Sequence, residues 1–429
     1  MASNRSTLLK KLYRCLDAGR NFKRYAPQSP PAPAGPHHKL AIVDLITNLG
    51  DKVMVFPLLD ALRRENPDLE INFFTQGAGR LVKIHPAIDH LYVMEAPQKR
   101  GLFTNVPTLV RIVLWWWTHW RHLRFHTVVV LRGGVEPHRS HHLAWLIGGK
   151  NRIAYSPELE PERPEFQYDV APLFTSLITT IRAVHEVNRG AEVLQLAGLL
   201  KGPVQIGDTV DSIVTIAHSV SNQDYRKSLD LDQKPYAIVA LGASVPRRAW
   251  PVESFAKLAI QELVSRHLTV VLIGAAETAH LAVEFKAYVG KGVLDLTGRT
   301  DFEQLVGLCG GASCFLGNDS GPAHIAGACG VPTLVITAFA ETGLKSHHAS
   351  PNRSHPVGPR VAVVQPEKQM EPCTTECITP EAHCIKQISV EKCAATLTRL
   401  LEGDGSRHAL SREEDPPARV DKCSLQKLI

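Results

Sequence analysis

From Lys39 onward, apolar residues arrive in short runs separated by longer stretches in which they recur at helical spacing. A run of four to eight apolar residues suits a buried strand, and a recurrence every three to four residues suits a helix with one buried face. On this basis the pattern predicts a strand over 40–46, a helix over 53–66 and a strand over 70–74, which is strand-helix-strand order. A loop follows over 97–107, then a tryptophan-rich helix over 109–123, a strand over 127–131, a helix over 141–147 and a strand over 152–155. A polar stretch over 156–168 and a helix over 173–198 read as the passage to a second half. There the alternation is cleaner, with strands over 236–241, 269–273, 293–296, 314–316 and 333–337, and helices starting near Pro251, Thr278, Phe302 and Pro322.

The pattern is that of two parallel sheets in tandem. Ligands of such sheets bind outside the carboxyl ends of the strands, so the loops after Ile46, Leu241, Ile273 and Leu316 are the places to look for chemistry. Ahead of the first sheet, residues 6–25 mix leucines with lysines and arginines as an amphipathic basic helix would. Residues 27–36 are a Pro/Ala linker poor in backbone donors. The basic helix reads equally as a membrane-surface contact or as a solvated segment.

A chain of 429 residues exceeds one ordinary core and suits two domains with a cleft between them. Its 44% hydrophobic and 21% charged residues exclude a disordered chain. A net charge of +6 and a pI of about 8.8 favour anionic partners such as phosphates and nucleotides, without pointing to nucleic acid. No apolar run reaches membrane-spanning length and no signal-peptide pattern opens the chain, which leads to the expectation of a cytoplasmic protein. Nine cysteines in such a compartment read as reduced thiols.

Three loops carry candidate chemistry. The sequence GNDSGPAH at 317–324 follows a strand and opens a helix. Asp319 or Ser320 can cap that helix, Pro322 suits its first turn, Gly321 lets a ligand approach the backbone, and the free amides suit a diphosphate. His324, one turn in, projects toward the same anion. The second loop, GASVPRRAWP at 242–251, offers the Ser244 hydroxyl and the charges of Arg247 and Arg248. The third, NLGDK at 48–52, sets Asp51 on a glycine turn at the end of the first strand, where a carboxylate serves as a general base or as a helix cap. Neither half carries the G-x-G-x-x-G of a nicotinamide dehydrogenase.

Taken together, LGDKVMVFPLLDALRRENP, GASVPRRAWP and GNDSGPAHIAGACGVP resemble the motifs of glycosyltransferase family 9, the ADP-heptose:lipopolysaccharide heptosyltransferases, in the family's order and over about residues 39–400. The resemblance implies the GT-B architecture: an α/β fold of two Rossmann-like parallel-sheet domains facing across a cleft. It implies an acceptor-side domain over 39–200 and a nucleotide-sugar-binding domain over 201–400, while the residue pattern itself sets the basic helix and Pro-rich linker over 1–38 before them and a polar tail over 401–429 after them. It further implies an inverting transfer of a heptose or related sugar from a nucleotide-diphosphate donor, ADP-heptose, to a lipopolysaccharide-core or other envelope glycolipid, with no cofactor and no metal. Contact with the inner face of the membrane would fit such an acceptor. Asp51 matches the family's catalytic base. Ser244 and Arg248 match positions that hold the leaving diphosphate, and Glu277 matches one near the nucleoside. Asp319, Ser320, Gly321 and His324 match the donor-binding helix start. Two departures stand out. Arg248 replaces the usual lysine, which keeps the charge and changes its geometry. Lys52 replaces an apolar residue and is expected to put a cation beside Asp51. The other readings are a GT-B enzyme using a different nucleotide-sugar and a non-catalytic nucleotide-sugar-binding protein of envelope assembly.

Cys373, Cys377 and Cys384, with His383, lack the Cys-x-x-Cys pairing of common zinc sites, and similar cysteines recur in this region of the family, so a structural role is expected of them. Trp115, Trp116, Trp117 and Trp120 cannot share one helix face, so at least two are expected to pack inward while others meet acceptor or lipid headgroups.

Overall fold

The computed structural model of the protein describes residues 38–94, 108–132, 139–156, 159, 170–180 and 182–403. The basic helix over 6–25, the linker over 27–36, the loop over 97–107 and the tail beyond 403 lie outside the described residues, as does most of the stretch over 156–168.

The first sheet comprises β1 (Lys39–Val43), β2 (Glu70–Gln76), β3 (His90–Met94), β4 (Phe125–Val129), β5 (Gly149–Tyr155) and β6 (Ser176–Ile178), in the order β3-β2-β1-β4-β5-β6. The second comprises β7 (Tyr236–Ala240), β8 (Thr269–Ile273), β9 (Val293–Asp295), β10 (Cys314–Asn318), β11 (Thr333–Ile336) and β12 (Val361–Val364), in the order β12-β11-β10-β7-β8-β9. Every pairing is parallel. Counted from its own first strand, each sheet has the doubly wound Rossmann order, and its switch points lie between β1 and β4 and between β7 and β10.

Period-two alternation explains how each sheet is covered. Leu40 and Ile42 face an apolar cluster that runs continuously between the two halves of the molecule and also takes in Ile238, Ala240, Phe315 and Ile325. Ala41 and Val43 face the opposite way, onto an outer cluster with Trp116, Trp120 and Trp145. In the second half Ala237 and Val239 face an outer cluster with Trp250, Phe255 and five cysteines. Both faces of both sheets are thus buried, as parallel sheets require. Each large side chain fully buried in these layers, Phe56, Phe73, Phe255 and Phe315 among them, contributes about 1.5–3 kcal/mol.

Several elements differ from the sequence reading. The helix expected over 53–66 is two helices, Leu49–Val53 and Phe56–Glu65, with Pro57 in the first turn of the second. The break brings the Gly50-Asp51 turn into a short helix of its own. The helix expected over 109–123 is α-helical over Thr108–Trp115 and then widens into a π turn over Trp116–Trp120. Trp116 and Trp120 pack inward as expected, while Trp117 is 56% exposed beneath the Arg121 guanidinium, 4.8 Å from its ring. The helix expected over 173–198 is instead β6 followed by a helix over Glu186–Leu196. Within a stretch that carries the β-branched Thr175, Ile178, Thr179 and Thr180, Ser176–Ile178 pair with β5, and a helix begins only where the His185 ring caps the Val187 amide. Among the described residues no helix is long and apolar enough to cross a membrane.

Candidate active site between the two sheets

The two switch points face each other. The helix Leu49–Val53 follows β1, and the helix Gly321–Ala328 follows β10. A Cβ on Gly50 would lie 2.8 Å from His324 Cδ2, and one on Gly321 would lie 2.6 Å from Leu49 Cβ. Both distances are shorter than real side chains tolerate, so glycine at these two positions lets the helices meet. At Gly321 the close neighbour is therefore Leu49, where the sequence reading left room for a ligand.

Asp51 sits at the meeting point. Its Oδ1 accepts a 2.6 Å hydrogen bond from Arg132 Nη1, and its Oδ2 accepts one of 3.0 Å from Asn48 Nδ2. Burial pushes the carboxyl up, but the Arg132 charge and the two hydrogen bonds outweigh it and hold Asp51 below the ordinary carboxylate value. The cation beside Asp51 is Arg132, at the carboxyl end of β4. Lys52, expected in that role, turns into the core. Its Nζ lies 2.7 Å from Asp44 Oδ2, donates to the Asp44 carbonyl at 2.8 Å, and sits above the Phe73 ring. A hollow beside Asp51 is lined by Asp44, Arg132 and Glu186 over a floor of Met54 and Leu58.

Glu186 extends this charged group across to the second half. It pairs with Arg353 from the short helix Pro351–Ser354 and lies 3.7 Å from Arg189. Burial raises the Glu186 carboxyl, and the charges of Arg353, Arg132 and Arg189 bring it below its ordinary value. Beside it His185 Nε2 donates to the His355 carbonyl at 2.9 Å.

On the other side, the helix start at Gly321 has Ser320 as its N-cap residue but no side-chain cap. The Ser320 hydroxyl donates to the Asn318 carbonyl at 3.0 Å instead, so neither Asp319 nor Ser320 performs the capping expected of it. The helix dipole is left open to an anion. His324 is buried, and its Nδ1 has no hydrogen-bond partner. Burial lowers its basicity while the charges of Asp319 and Asp51 work in the opposite direction, with a net shift downward. At neutral pH the ring is uncharged and offers a neutral N–H.

The loop 242–251 is tied to this helix start by Asn318. Its Oδ1 accepts from the Trp250 amide at 2.9 Å, and its Nδ2 donates to the Leu241 carbonyl at 2.8 Å. Ser244 is exposed, and Arg248 is half-buried on a 3-10 turn over Pro246–Arg248, above a hollow it shares with Arg247, Thr337, Phe339, Glu376 and Cys377. Glu277 lies exposed on the turn after β8, and its neighbour Thr278 packs against the Gly242 and Gly274 backbones. Asp51 and His324 are thus brought together. Ser244, Arg248 and Glu277 ring the same end of the second sheet without a polar contact to either of them among the described residues. Sequence reasoning passed over Arg132, Glu186 and Asn318. Of these Arg132 left a signal, as a charge directly after the apolar run Val128-Val129-Val130-Leu131.

Paired Rossmann-order sheets whose carboxyl ends face each other are the GT-B architecture. Residues 185–383 match the model of glycosyltransferase family 9 (heptosyltransferase). Lipooligosaccharide heptosyltransferase 2 of Haemophilus ducreyi is 25% identical over 124 residues, a stretch covering 28% of this chain and 33% of that protein. The match therefore spans about a third of the relative's length. Among solved structures, the family 9 glycosyltransferase of Veillonella parvula is similar over 86% of this chain and 98% of its own, with a TM-score of 0.62 at 18% identity. The ADP-heptose lps heptosyltransferase II of E. coli covers 86% and 99% with a TM-score of 0.59 at 18% identity. E. coli heptosyltransferase WaaC with ADP covers 84% and 99% with a TM-score of 0.61 at 15% identity. The family 9 match thus lies in the second half of the chain, and the likeness to the solved structures extends the shared fold to the first.

Proposed function

We propose that the protein is an inverting glycosyltransferase that moves a heptose or related sugar from ADP-heptose to a lipopolysaccharide-core-type acceptor. The observation that carries this reading is the meeting of an ionised carboxylate, Asp51, with an uncapped helix start and the partnerless Nδ1 of His324 at the facing switch points. Asp51 acts on the acceptor. It takes the proton of the attacking hydroxyl while the oxygen forms its bond to the anomeric carbon and the donor diphosphate departs from the opposite face. The hollow lined by Asp44, Arg132 and Glu186 receives the acceptor hydroxyl.

The leaving diphosphate is held by the second half. The dipole and amides of the helix Gly321–Ala328, the Arg248 guanidinium and the neutral N–H of His324 stabilise the charge that develops there, with Ser244, Asp319 and Ser320 alongside and Glu277 toward the nucleoside. This arrangement needs no divalent ion on the diphosphate, since the donor loop offers Asp319 flanked by Asn318 and Ser320 rather than a carboxylate pair. Residues 39–200 act as the acceptor side and residues 201–400 as the donor side. The exposed Trp117-Arg121 pair suits contact with acceptor headgroups at the cytoplasmic face of a membrane.

ADP-heptose homologues supported by UDP- and GDP-sugars as controls test the donor by thermal shift. ADP-sugars at a hundred times their dissociation constant are expected to stabilise the fold by about 2.7 kcal/mol. A response confined to UDP- or GDP-sugars would replace the donor.

A further inference from the structure

Four potential ligands that are scattered over 373–384 in the sequence converge in space. The ligand atoms of Cys373, Cys377, His383 and Cys384 all lie within 4.8 Å of one another. Cys373 Sγ is 4.0 Å from Cys377 Sγ and 3.6 Å from His383 Nδ1, and Cys384 Sγ is 3.4 Å from the same nitrogen. An ion bound tetrahedrally at about 2.3 Å from sulfur and about 2.0–2.1 Å from nitrogen would set sulfurs about 3.8 Å apart and sulfur about 3.6 Å from nitrogen. The three observed spacings lie close to those values. The sulfurs are also too far apart for a disulfide, whose S–S length is about 2.05 Å.

We infer that Cys373, Cys377, His383 and Cys384 form a structural metal site for one thiophilic tetrahedral ion, zinc or iron, in which three thiolates and one imidazole complete the coordination. Core packing alone gives a weaker account. Buried cysteines behave as small apolar side chains, yet here a backbone donor is turned toward a sulfur. The Met370 amide points at Cys384 Sγ from 3.5 Å, while the Thr379 hydroxyl, 3.3 Å from Cys377 Sγ, donates to the Glu381 carbonyl. Such an amide is a usual outer partner of a metal thiolate. All three cysteines are at most 5% exposed and His383 is half-buried, so the sulfurs are shielded from solvent, as in structural rather than catalytic sites.

The position gives the ion a task. Cys377 lines the hollow beneath Arg247 and Arg248, and the Trp250 indole donates to the Ile388 carbonyl at 3.0 Å, just beyond the knot. The ion would fix an otherwise irregular loop behind the Arg248 turn without touching the diphosphate. The inference stands on these ligands and is independent of the donor assignment.

The test is metal content of the full chain purified without chelator, read by mass spectrometry of the elements. About one equivalent of zinc or iron per chain is expected. The double variant Cys373→Ser, Cys377→Ser is expected to fall below about a tenth of that and to melt at lower temperature. Because this variant could fail to fold, the wild-type protein provides a second arm. A mercurial titration should release the ion in step with three thiols, and refilling with Co²⁺ should give the visible bands of a tetrahedral cobalt thiolate. A folded wild-type protein that is metal-free after growth with added zinc and iron, and takes up no Co²⁺, would overturn the site. Full metal content in the folded double variant would overturn it equally, as would a disulfide among the three cysteines.

Discussion

The two sides of the cleft are built from the same sheet order but hold their loops by different forces. On the first sheet the switch point is braced by charge: Asp51 with Arg132, Lys52 with Asp44, and Glu186 with Arg353 and Arg189. On the second sheet the corresponding loops are held by neutral hydrogen bonds from Asn318 and by close glycine contacts, and among the described residues no ion pair joins Arg248, Asp319 or Glu277. Under the proposed function, the difference follows from what each side would do. A proton acceptor must be ionised before the reaction, so its pKa is set in advance by fixed cations. A diphosphate brings its own charge, and a site prepared for it is best left with open amides, a helix dipole and an unpaired guanidinium.

If this contrast is right, the first side should be the more sensitive to loss of a single charge. Glu186→Gln leaves Arg353 and Arg189 in a buried position with their shared counter-ion removed. Breaking such a group costs about 3–5 kcal/mol, and chemical denaturation should show that loss in the variant. A loss below about 1 kcal/mol, the range of an exposed pair, would mean the cluster is not a brace.

On the second side the expected effects are on affinity more than on stability. Arg248→Ala and His324→Ala should each weaken nucleotide-diphosphate binding by about 1–3 kcal/mol, the range for hydrogen bonds to a charged group. Calorimetry that finds unchanged affinity in both variants would move the diphosphate elsewhere.

A smaller effect sharpens the comparison through pH. With Arg132 in place, Asp51 is held below the ordinary carboxylate value, so the rate should be flat through neutral pH and fall only as pH drops through that lowered pKa. In Arg132→Met the attraction is gone and burial, which raises the carboxyl, is left unopposed apart from Asn48 and His324. The acid limb of kcat/KM should then move to higher pH. An unmoved limb would show that Arg132 does not set the protonation of Asp51.

Much of this arrangement was legible in the sequence, and the parts that were not share physical causes. The buried central strands announced themselves as apolar runs. The strands that went unread, β3, β6 and β12, are all sheet edges and are only partly buried; β3 and β6 mix polar and apolar residues without a clear period, and β12, though apolar, is a run of only four. The three loops were found because turn and helix-start residues sit directly after strands. What each side chain touches was not legible. Lys52 is adjacent to Asp51 in sequence, but successive helical residues point about 100° apart, and it pairs with Asp44 in the core. Arg132 reaches Asp51 from 81 positions away. The cysteines were read by spacing, and spacing could not show that an irregular loop folds Cys373, Cys377, His383 and Cys384 onto one point.

The central claim is a division of labour in which Asp51 acts on the acceptor and the second sheet binds the donor. It is tested most directly by measuring turnover and donor dissociation constant together in Asp51→Asn. The substitution keeps the size of the side chain and its hydrogen bonding to Arg132 in part, and removes the proton acceptor. Transfer should fall by at least about a hundredfold, the lower range for a lost general base, while the dissociation constant of the nucleotide-sugar should stay within a few-fold of wild type. Near-normal turnover would remove Asp51 from the chemistry, and lost donor binding with it would place Asp51 on the donor and contradict the division.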